Sequence, residues 1–252
     1  MEVIIGITLG LLAGILSGLV GIGGGTVIIP LLVLGWGYTQ HEAQGTALMA
    51  FAFPVFGAAA WNYYRFRRVR IRLALLTAVA LALTSYLMAW WVQGIESQLL
   101  TRIFAVFLIL TSGYTLWRSF SPLKAPQASS PSLFRETMVG IGVGSLTGLI
   151  KGLTGLGGGV VIVPLLRLWG GLDQHTAQGT SLFIMTLPVA ILPAIPYWQN
   201  GQVRWPLVLG LVIGLLIGSY RSSALAQKVS GPLLARIFAG TIAIMGVVLL
   251  LK

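Results

Sequence analysis

Two copies of one motif carry the residues best suited to chemistry, and each copy combines a glycine cluster with a polar Gln-Gly-Thr triplet. Residues 18–48 read GLVGIGGGTVIIPLLVLGWGYTQHEAQGTAL, and residues 152–182 read GLTGLGGGVVIVPLLRLWGGLDQHTAQGTSL, with 20 of 31 positions identical and no gap. Glycines clustered in apolar sequence predict an interrupted helix, whose free backbone N–H groups and positive end attract anions. The two copies, 134 positions apart, therefore predict a site for a small anion.

The predicted substrate-binding residues are the glycine turns, the triplets and one serine that follows the second triplet. They are Gly21, Gly23, Gly24, Gly25, Gln44, Gly45, Thr46, Gly155, Gly157, Gly158, Gly159, Gln178, Gly179, Thr180 and Ser181. The competing interpretation is that the glycines only let helices approach and that the amides and hydroxyls only bridge helices. Five glycine positions kept in register in both copies favour a site, whereas the triplets fit either role.

Lys151 stands directly before the second glycine turn, where the first copy has Ser17. A lysine inside an apolar segment is costly and by default faces an interior cavity, where its charge would attract an anion. The alternative is a position near the interface, from which the side chain reaches water. We predict that Lys151 belongs to the substrate site.

Other side chains offer little chemistry. His41 and His175 precede the two triplets and could carry protons near neutral pH, although local hydrogen bonding is the simpler role. Asn62, Tyr63 and Tyr197 are predicted to be interfacial. With no cysteine and five acidic residues, none deep in an apolar segment, the sequence predicts no enzyme, metal site or cofactor. Both glycine motifs lack the lysine and hydroxyl of an ATP-binding GxxxxGK[ST] loop, so secondary transport is the economical mechanism.

The composition of the chain indicates the class of protein in which these residues are held. The chain is 56% hydrophobic and 8% charged, which predicts an all-α polytopic membrane protein. The net charge of +11 does not predict nucleic-acid binding, because five arginines crowd between two apolar segments at positions 65–72. Such a cluster is typical of a cytoplasmic loop.

The duplication divides the chain into an N-terminal repeat (residues 1–118), a Pro- and Ser-rich linker (119–134) and a C-terminal repeat (135–252). Each repeat is predicted to contain a glycine-interrupted segment and three further spans. The predicted segments are a helix to 20 with a turn at 21–25 and a short helix to 34, then 43–64 bent near Pro54, 73–92, 99–116, 137–168, 177–198, 205–225 and 233–251.

The interrupted segments decide how the repeats are oriented. If each crosses the membrane once, each half has four crossings and the halves are parallel. If each is a hairpin that enters and leaves on one side, the number of crossings is odd and the repeats are inverted. Inversion places Arg221 and Lys228 on the cytoplasmic side and only Arg204 outside, so the charges slightly favour it. Interrupted segments in matching positions also point to a midplane site between inverted repeats.

The doubled GLxGxGGG…P…QGT pattern resembles the TauE/SafE family, also called the TSUP or four-TMS sulfite exporter family. The resemblance covers nearly all of both halves and implies a multi-pass transporter in the inner membrane of a prokaryote. It implies small sulfur-containing anions or organic acids as substrates, and it implies the glycine turns and triplets as the site. A related thiosulfate-uptake branch uses membrane cysteines, which this chain lacks, so that mechanism is not expected here.

We therefore expect an exporter or importer that binds sulfite, an organosulfonate or a related sulfur oxyanion between the two glycine turns at mid-membrane. Alternating access would move the anion. The expected partners are the anion and the bilayer, with no nucleic acid, and a homo-oligomer is compatible with the sequence. The alternatives are a passive anion channel, a transporter of small carboxylates, and a membrane scaffold in which the glycines only pack helices.

Overall fold

The computed structural model describes residues 1–20, 23–120, 133–156, 158–225 and 231–251, and in these ranges it contains helices and no strand. Gly21, Gly157, Lys228 and most of the predicted linker (121–132) lie outside the described residues. The helices are α1 (Glu2–Val20), α2 (Gly25–Gly35), α3 (Gln40–Phe51), α4 (Gly57–Arg65), α5 (Ile71–Val92), α6 (Ser97–Phe120), α7 (Leu133–Thr154), α8 (Gly159–Leu168), α9 (Gln174–Thr186), α10 (Ile191–Gln199), α11 (Trp205–Leu225) and α12 (Gly231–Leu250).

Several helices are long and apolar enough to cross a membrane. Among the described residues these are α5, most of α6, α7 and most of α11, and the bent pair α9–α10 could form a fifth span. Large apolar side chains such as Leu87, Leu110 and Ile244 are more than 60% exposed, as expected of a surface that faces lipid. The chain is thus an all-helical, multi-pass membrane protein, as its composition predicts.

The predicted interruptions are confirmed where the structure describes them. α1 ends at Val20 and α2 begins at Gly25, while α7 ends at Thr154 and α8 begins at Gly159. The bent spans break beside prolines: α3 and α4 are separated around Pro54, and α9 and α10 around Pro188, with a bend of 44° in the second pair. Proline donates no backbone hydrogen bond and clashes with the preceding turn, which explains both breaks.

Glycine stripes bring two pairs of helices unusually close. α1 packs along α11, and α7 packs along α5. A Cβ at Gly10 would lie 2.6 Å from the carbonyl oxygen of Leu211 and 3.0 Å from the Cα of Gly214, so only glycine fits. The stripe of α1 is Gly6, Gly10, Gly14 and Gly18, and that of α7 is Gly140, Gly144, Gly148 and Gly152. Small residues allow this approach in membranes, where no hydrophobic force drives helices together.

One end of the molecule, which we call the Glu42 end, gathers the starts of α1, α3, α6 and α11. The Tyr38 hydroxyl, just beyond α2, donates to the Glu2 carboxylate at 2.9 Å. Arg204, just before α11, binds the Glu42 carboxylate at 2.6 Å. The backbone N–H of Gln40 donates to Ser97 Oγ at 3.0 Å, which brings the start of α6 to the same place.

The opposite end, which we call the Asp173 end, gathers the starts of α5 and α9. Arg68, between α4 and α5, lies 3.4 Å from the Asp173 carboxylate, and the N–H of Arg70 donates to Thr180 Oγ1 at 3.1 Å. α7 starts here as well, because Gly140 contacts the first turns of α5. The helices α1 and α7 therefore run in opposite directions.

Each interrupted segment returns to the end where it started. α2 ends beside Glu2, the first residue of α1. α8 ends beside the start of α7, since the ring of Trp169 lies 3.4 Å from a Cβ built on Gly142. Both interrupted segments are thus hairpins, which is the second of the two possibilities left open by the sequence.

Candidate functional site

In the described part of the first glycine turn, residues 23–25, Gly23 is held by local hydrogen bonds. Gly23 has φ of +85°, a backbone conformation that favours glycine. Its N–H donates to Ser17 Oγ at 3.1 Å, and Thr26 Oγ1 donates to its carbonyl oxygen at 3.4 Å. Gly24 faces apolar side chains, because a Cβ there would lie 3.0 Å from Ala13 Cβ and 3.1 Å from Leu215 Cδ2. This turn is buried between α1 and α11, and Gly25 opens α2.

The second glycine turn lies between α5 and α7. Gly158 precedes α8 with φ of +84°, and a Cβ built on it would meet Thr147 Cγ2 at 3.5 Å and Leu81 Cδ1 at 3.9 Å. The N–H groups of Gly159 and Val160 donate no hydrogen bond within the described ranges. The first N–H groups of a helix lack partners inside it, so they can bind an acceptor from elsewhere.

Lys151 lies in the last turn of α7, directly before this turn, and is only 2% exposed. This burial is inconsistent with an interfacial side chain that reaches water. Among the described residues, no hydrogen bond or ion pair involves its ammonium group. A buried charge is costly unless an opposite charge or hydrogen-bond acceptors compensate it. The position therefore calls for an anionic or strongly accepting partner.

Gln44 of the first triplet packs on the second glycine turn. Its Nε2 donates to the carbonyl oxygen of Leu153 at 3.3 Å, and its Oε1 accepts from the Tyr197 hydroxyl at 2.8 Å. A Cβ on Gly155 would lie 2.7 Å from Gln44 Cγ, so the close approach requires glycine. The triplet of one half is thus in contact with the glycine turn of the other half.

The second triplet makes matching contacts with the first half. Tyr63 OH approaches Gln178 Oε1 at 3.5 Å, which parallels the Tyr197–Gln44 pair. Gly45 and Gly179 let these tyrosines approach, because Cβ atoms there would lie 2.7 Å and 2.9 Å from the tyrosine Cβ atoms. The sequence predicts interfacial tyrosines, but Tyr197 is fully buried. The sequence signal that could have identified Tyr197 is its position 134 residues after Tyr63, which matches the offset between the two motifs.

The hydroxyl-bearing residues of the triplets bridge helices. Thr46 Oγ1 accepts from the N–H of Arg204 at 3.1 Å, just before α11, and Thr180 Oγ1 accepts from Arg70 in the same way, just before α5. Ser181 is buried, with its Oγ 4.0 Å from Met185 Sδ. Of the two roles that the sequence left open for these residues, the structure supplies direct contacts for helix bridging.

The histidines lie at opposite ends of the molecule. His41 is buried, and its Nε2 lies 3.3 Å from the carbonyl oxygen of Val92, at the Glu42 end. His175 is exposed and follows Asp173 at the other end. Within the described residues, no three His, Cys, Asp or Glu side chains come together in a group that could hold a metal ion.

Each end carries an ion pair that joins the two halves: Arg204–Glu42 at one and Arg68–Asp173 at the other. Asp173 also caps α9, accepting from the N–H and hydroxyl of Thr176 at 3.1 Å and 2.6 Å. Partial burial raises the pKa of Asp173, but the Thr176 hydrogen bonds and the charge of Arg68 outweigh it, so the pKa lies below its ordinary value. The carboxylate is therefore held in its charged form.

The chain is similar to several proteins that are named as probable membrane transporters. The chain is 27% identical to "Probable membrane transporter protein YunE" of Bacillus subtilis, over 90% of each chain. It is 28% identical to YdhB of the same species (83% of this chain, 84% of that one) and 25% identical to MJ0441 of Methanocaldococcus jannaschii (97% and 94%), both also named probable membrane transporter proteins. No solved structure matches. The family described as "Sulfite exporter TauE/SafE" matches residues 6–249, and the chain therefore belongs to this family of membrane proteins.

Proposed function

We propose that the chain is a secondary transporter of a small anion, and not an enzyme. The proposed substrate is sulfite, an organosulfonate or a related sulfur oxyanion, bound at the glycine turns and moved by alternating access. The observation that carries the proposal is Lys151, a cation that is 2% exposed and unpaired within the described residues, beside the start of α8. The family description and the names of the relatives support transport, and the family description motivates the sulfur oxyanion.

The chemistry around Lys151 favours an anion over a neutral or cationic substrate. The ammonium group and the N-terminus of α8 both carry positive charge, and both are buried. Positive charge in a buried region is costly, and an anion bound there would offset that cost. A cationic substrate would increase it.

Inverted repeats are supported by contacts that occur in pairs 134 positions apart. Gln44–Tyr197 corresponds to Gln178–Tyr63, and the Thr46–Arg204 contact corresponds to Thr180–Arg70. Because α1 and α7 run in opposite directions, the proposed repeats are related by inversion. The arginines at positions 65–72 lie at the Asp173 end, so by the positive-inside rule this end is cytoplasmic.

Alternating access would use the contacts between the halves at each end. The Arg204–Glu42 pair and its neighbours close the Glu42 end, and the Arg68–Asp173 pair closes the Asp173 end. Opening one end at a time would expose a site between them to one side of the membrane. The relatives include proteins of Bacillus subtilis, Xylella fastidiosa and Methanocaldococcus jannaschii, and the proposed location is a prokaryotic cytoplasmic membrane.

The direct test is a panel of sulfite, thiosulfate, alkanesulfonates, small carboxylates and chloride, added to the protein purified in detergent. A ligand that binds only the folded protein raises its melting temperature by mass action. We expect stabilisation by a sulfur oxyanion, and uptake of the same anion into proteoliposomes at rates far below those of a channel.

Lys151→Met removes the buried cation while keeping the length of the side chain, and Arg102→Met removes an exposed cation of α6 as a matched control. Lys151→Met should abolish both the stabilisation and the uptake, whereas Arg102→Met should preserve both. Stabilisation by no anion, together with absent uptake, would refute the proposed function. Currents of channel size would replace the transporter with a passive pore.

A further inference from the structure

The two glycine turns differ in the polar side chains that surround them. In the first turn, Ser17 accepts a hydrogen bond from Gly23 and Thr26 donates one to it. The side chains that pack against Gly24 are apolar. In the second turn, Lys151 replaces Ser17 and Thr147 replaces Ala13, counting 134 positions along the chain. The second turn therefore has a cation and a hydroxyl at the positions where the first turn has Ser17 and Ala13.

Thr147 is fully buried, and its Oγ1 has no hydrogen-bond partner within the described residues. Its Cγ2 lies 3.5 Å from a Cβ built on Gly158, so the side chain borders the start of α8. A buried hydroxyl without a partner costs free energy, so Thr147 Oγ1 calls for a partner other than the described residues.

Lys151 follows Thr147 by four residues, so the two side chains share one face of α7. Helical side chains lean toward the N-terminus of their helix, which carries the lysine side chain toward the level of Thr147 and Gly158. The adjacent face of α7, with Gly148 and Gly152, is in contact with α5. The side chain of Lys151 is therefore directed toward the unpaired hydroxyl and the start of α8.

A second buried hydroxyl without a partner lies on α5, on the other side of the second glycine turn from α7. Thr77 of α5 is fully buried, and its Oγ1 has no partner in the part of the chain that the structure describes. It precedes Leu81, the α5 residue nearest Gly158, by one helical turn. The corresponding residue beside the first turn is Leu211. The polar differences between the two turns thus extend from the site toward the Asp173 end.

We infer that the chain binds one monovalent oxyanion at the second glycine turn, held by Lys151, Thr147 and the N–H groups of Gly159 and Val160, and that the first turn is structural. This inference rests on the proposed anion transport and narrows it to one site and one charge class. An anion beside Lys151 favours the charged ammonium form. One buried cation balances one negative charge, and a dianion would bring an uncompensated charge into the membrane interior.

The test compares methanesulfonate, a monoanion, with sulfate, a dianion of similar shape, by isothermal titration of the purified full chain at constant ionic strength. We expect one methanesulfonate per chain and binding of sulfate that is weaker by about tenfold or more. Thr147→Val, which keeps the shape and removes the hydroxyl, should weaken methanesulfonate binding about tenfold. Thr147→Ser, which keeps a hydroxyl, should restore most of the affinity.

The first turn supplies the matched comparison. Lys151→Ser gives the second turn the residue of the first and should abolish binding, whereas Ser17→Ala should leave the affinity for methanesulfonate unchanged. Two bound anions per chain, equal affinity for sulfate, or equal losses in Ser17→Ala and Thr147→Val would overturn the inference.

Flux of methanesulfonate into proteoliposomes separates this inference from the proposed function. If the wild-type chain transports the anion and the Lys151→Ser and Thr147→Val chains do so equally well, the site is elsewhere and the transport function stands. If the wild-type chain neither binds nor transports any anion of the panel, both fail. Thr147→Ser also serves as the folding control, because it must elute and melt like the wild-type protein.

Discussion

Tyr197→Phe should destabilise the protein measurably, and Tyr63→Phe should not, although both remove the same hydroxyl at matching positions of the two halves. The Tyr197 hydroxyl is buried and donates to Gln44 Oε1 at 2.8 Å, and Gln44 is itself fully buried. Without the hydroxyl, the buried Oε1 loses its donor. Tyr63 is only partly buried and approaches Gln178 at 3.5 Å, which is at the limit of a hydrogen bond.

The expected size follows from these geometries. Leaving a buried acceptor without a partner costs about 1–3 kcal/mol, whereas hydrogen bonds between membrane helices average about 0.6 kcal/mol. We therefore expect Tyr197→Phe to cost about 1–2 kcal/mol, or roughly 2–8 °C in melting temperature for a chain of this size. Tyr63→Phe should cost less than about 0.5 kcal/mol.

The assay is thermal unfolding of both variants in the same detergent, followed by tryptophan fluorescence. The double variant Tyr197→Phe with Gln44→Leu should recover part of the loss, because it removes the unpaired amide oxygen as well. Equal melting temperatures for the two tyrosine variants would refute the reasoning, since burial and bond length would then not determine the cost.

Three further predictions concern packing, charge and topology. Gly10→Ala should separate α1 from α11 and cost about 1–3 kcal/mol, whereas Gly113→Ala, with open space around it in α6, should be neutral or stabilising, as thermal unfolding can show. Because its pKa is lowered, Asp173 stabilises the fold above its unfolded-state pKa and loses this effect as the pH falls through the lower folded-state value. The melting temperatures of wild type and Asp173→Asn should differ most above about pH 5 and converge as the pH falls below about 4, and a difference that stays constant in that acidic range would contradict this. In the cysteine-free chain, Gly94→Cys should react with an impermeant thiol reagent in intact cells and Arg67→Cys only after lysis; the reverse pattern would invert the proposed topology.

Much of the fold could be predicted because it depends on local chemistry. Glycine clusters and prolines break helices wherever they occur, so the ends of α1 and α7 and the bends near Pro54 and Pro188 follow from residue types alone. The four-residue spacing of the glycines in α1 and α7 likewise indicates close packing. This spacing does not identify the partner helix, because α11 lies far along the chain and any surface of small residues could pack against the glycines.

The candidate site was less accessible to sequence reasoning. Lys151 could be identified because a lysine in an apolar segment is rare. Thr147 could not, since a threonine in a membrane helix usually bonds to its own backbone, and only the structure shows that its hydroxyl has no partner among the described residues. The contact of Gln44 with the second glycine turn also depends on how the two halves interleave, which neither motif encodes.

The interleaving has a consequence for biosynthesis. The glycine stripe of α1 is covered by α11, which begins at Trp205, about 180 residues after α1 ends at Val20. During translation α1 is therefore synthesised long before α11 can cover its glycine stripe. In contrast, α5 meets its partner α7 much sooner. The α5–α7 pair should form first, and α1 should pair only after α11 has been synthesised, so that it stays exposed to membrane proteases until late in translation.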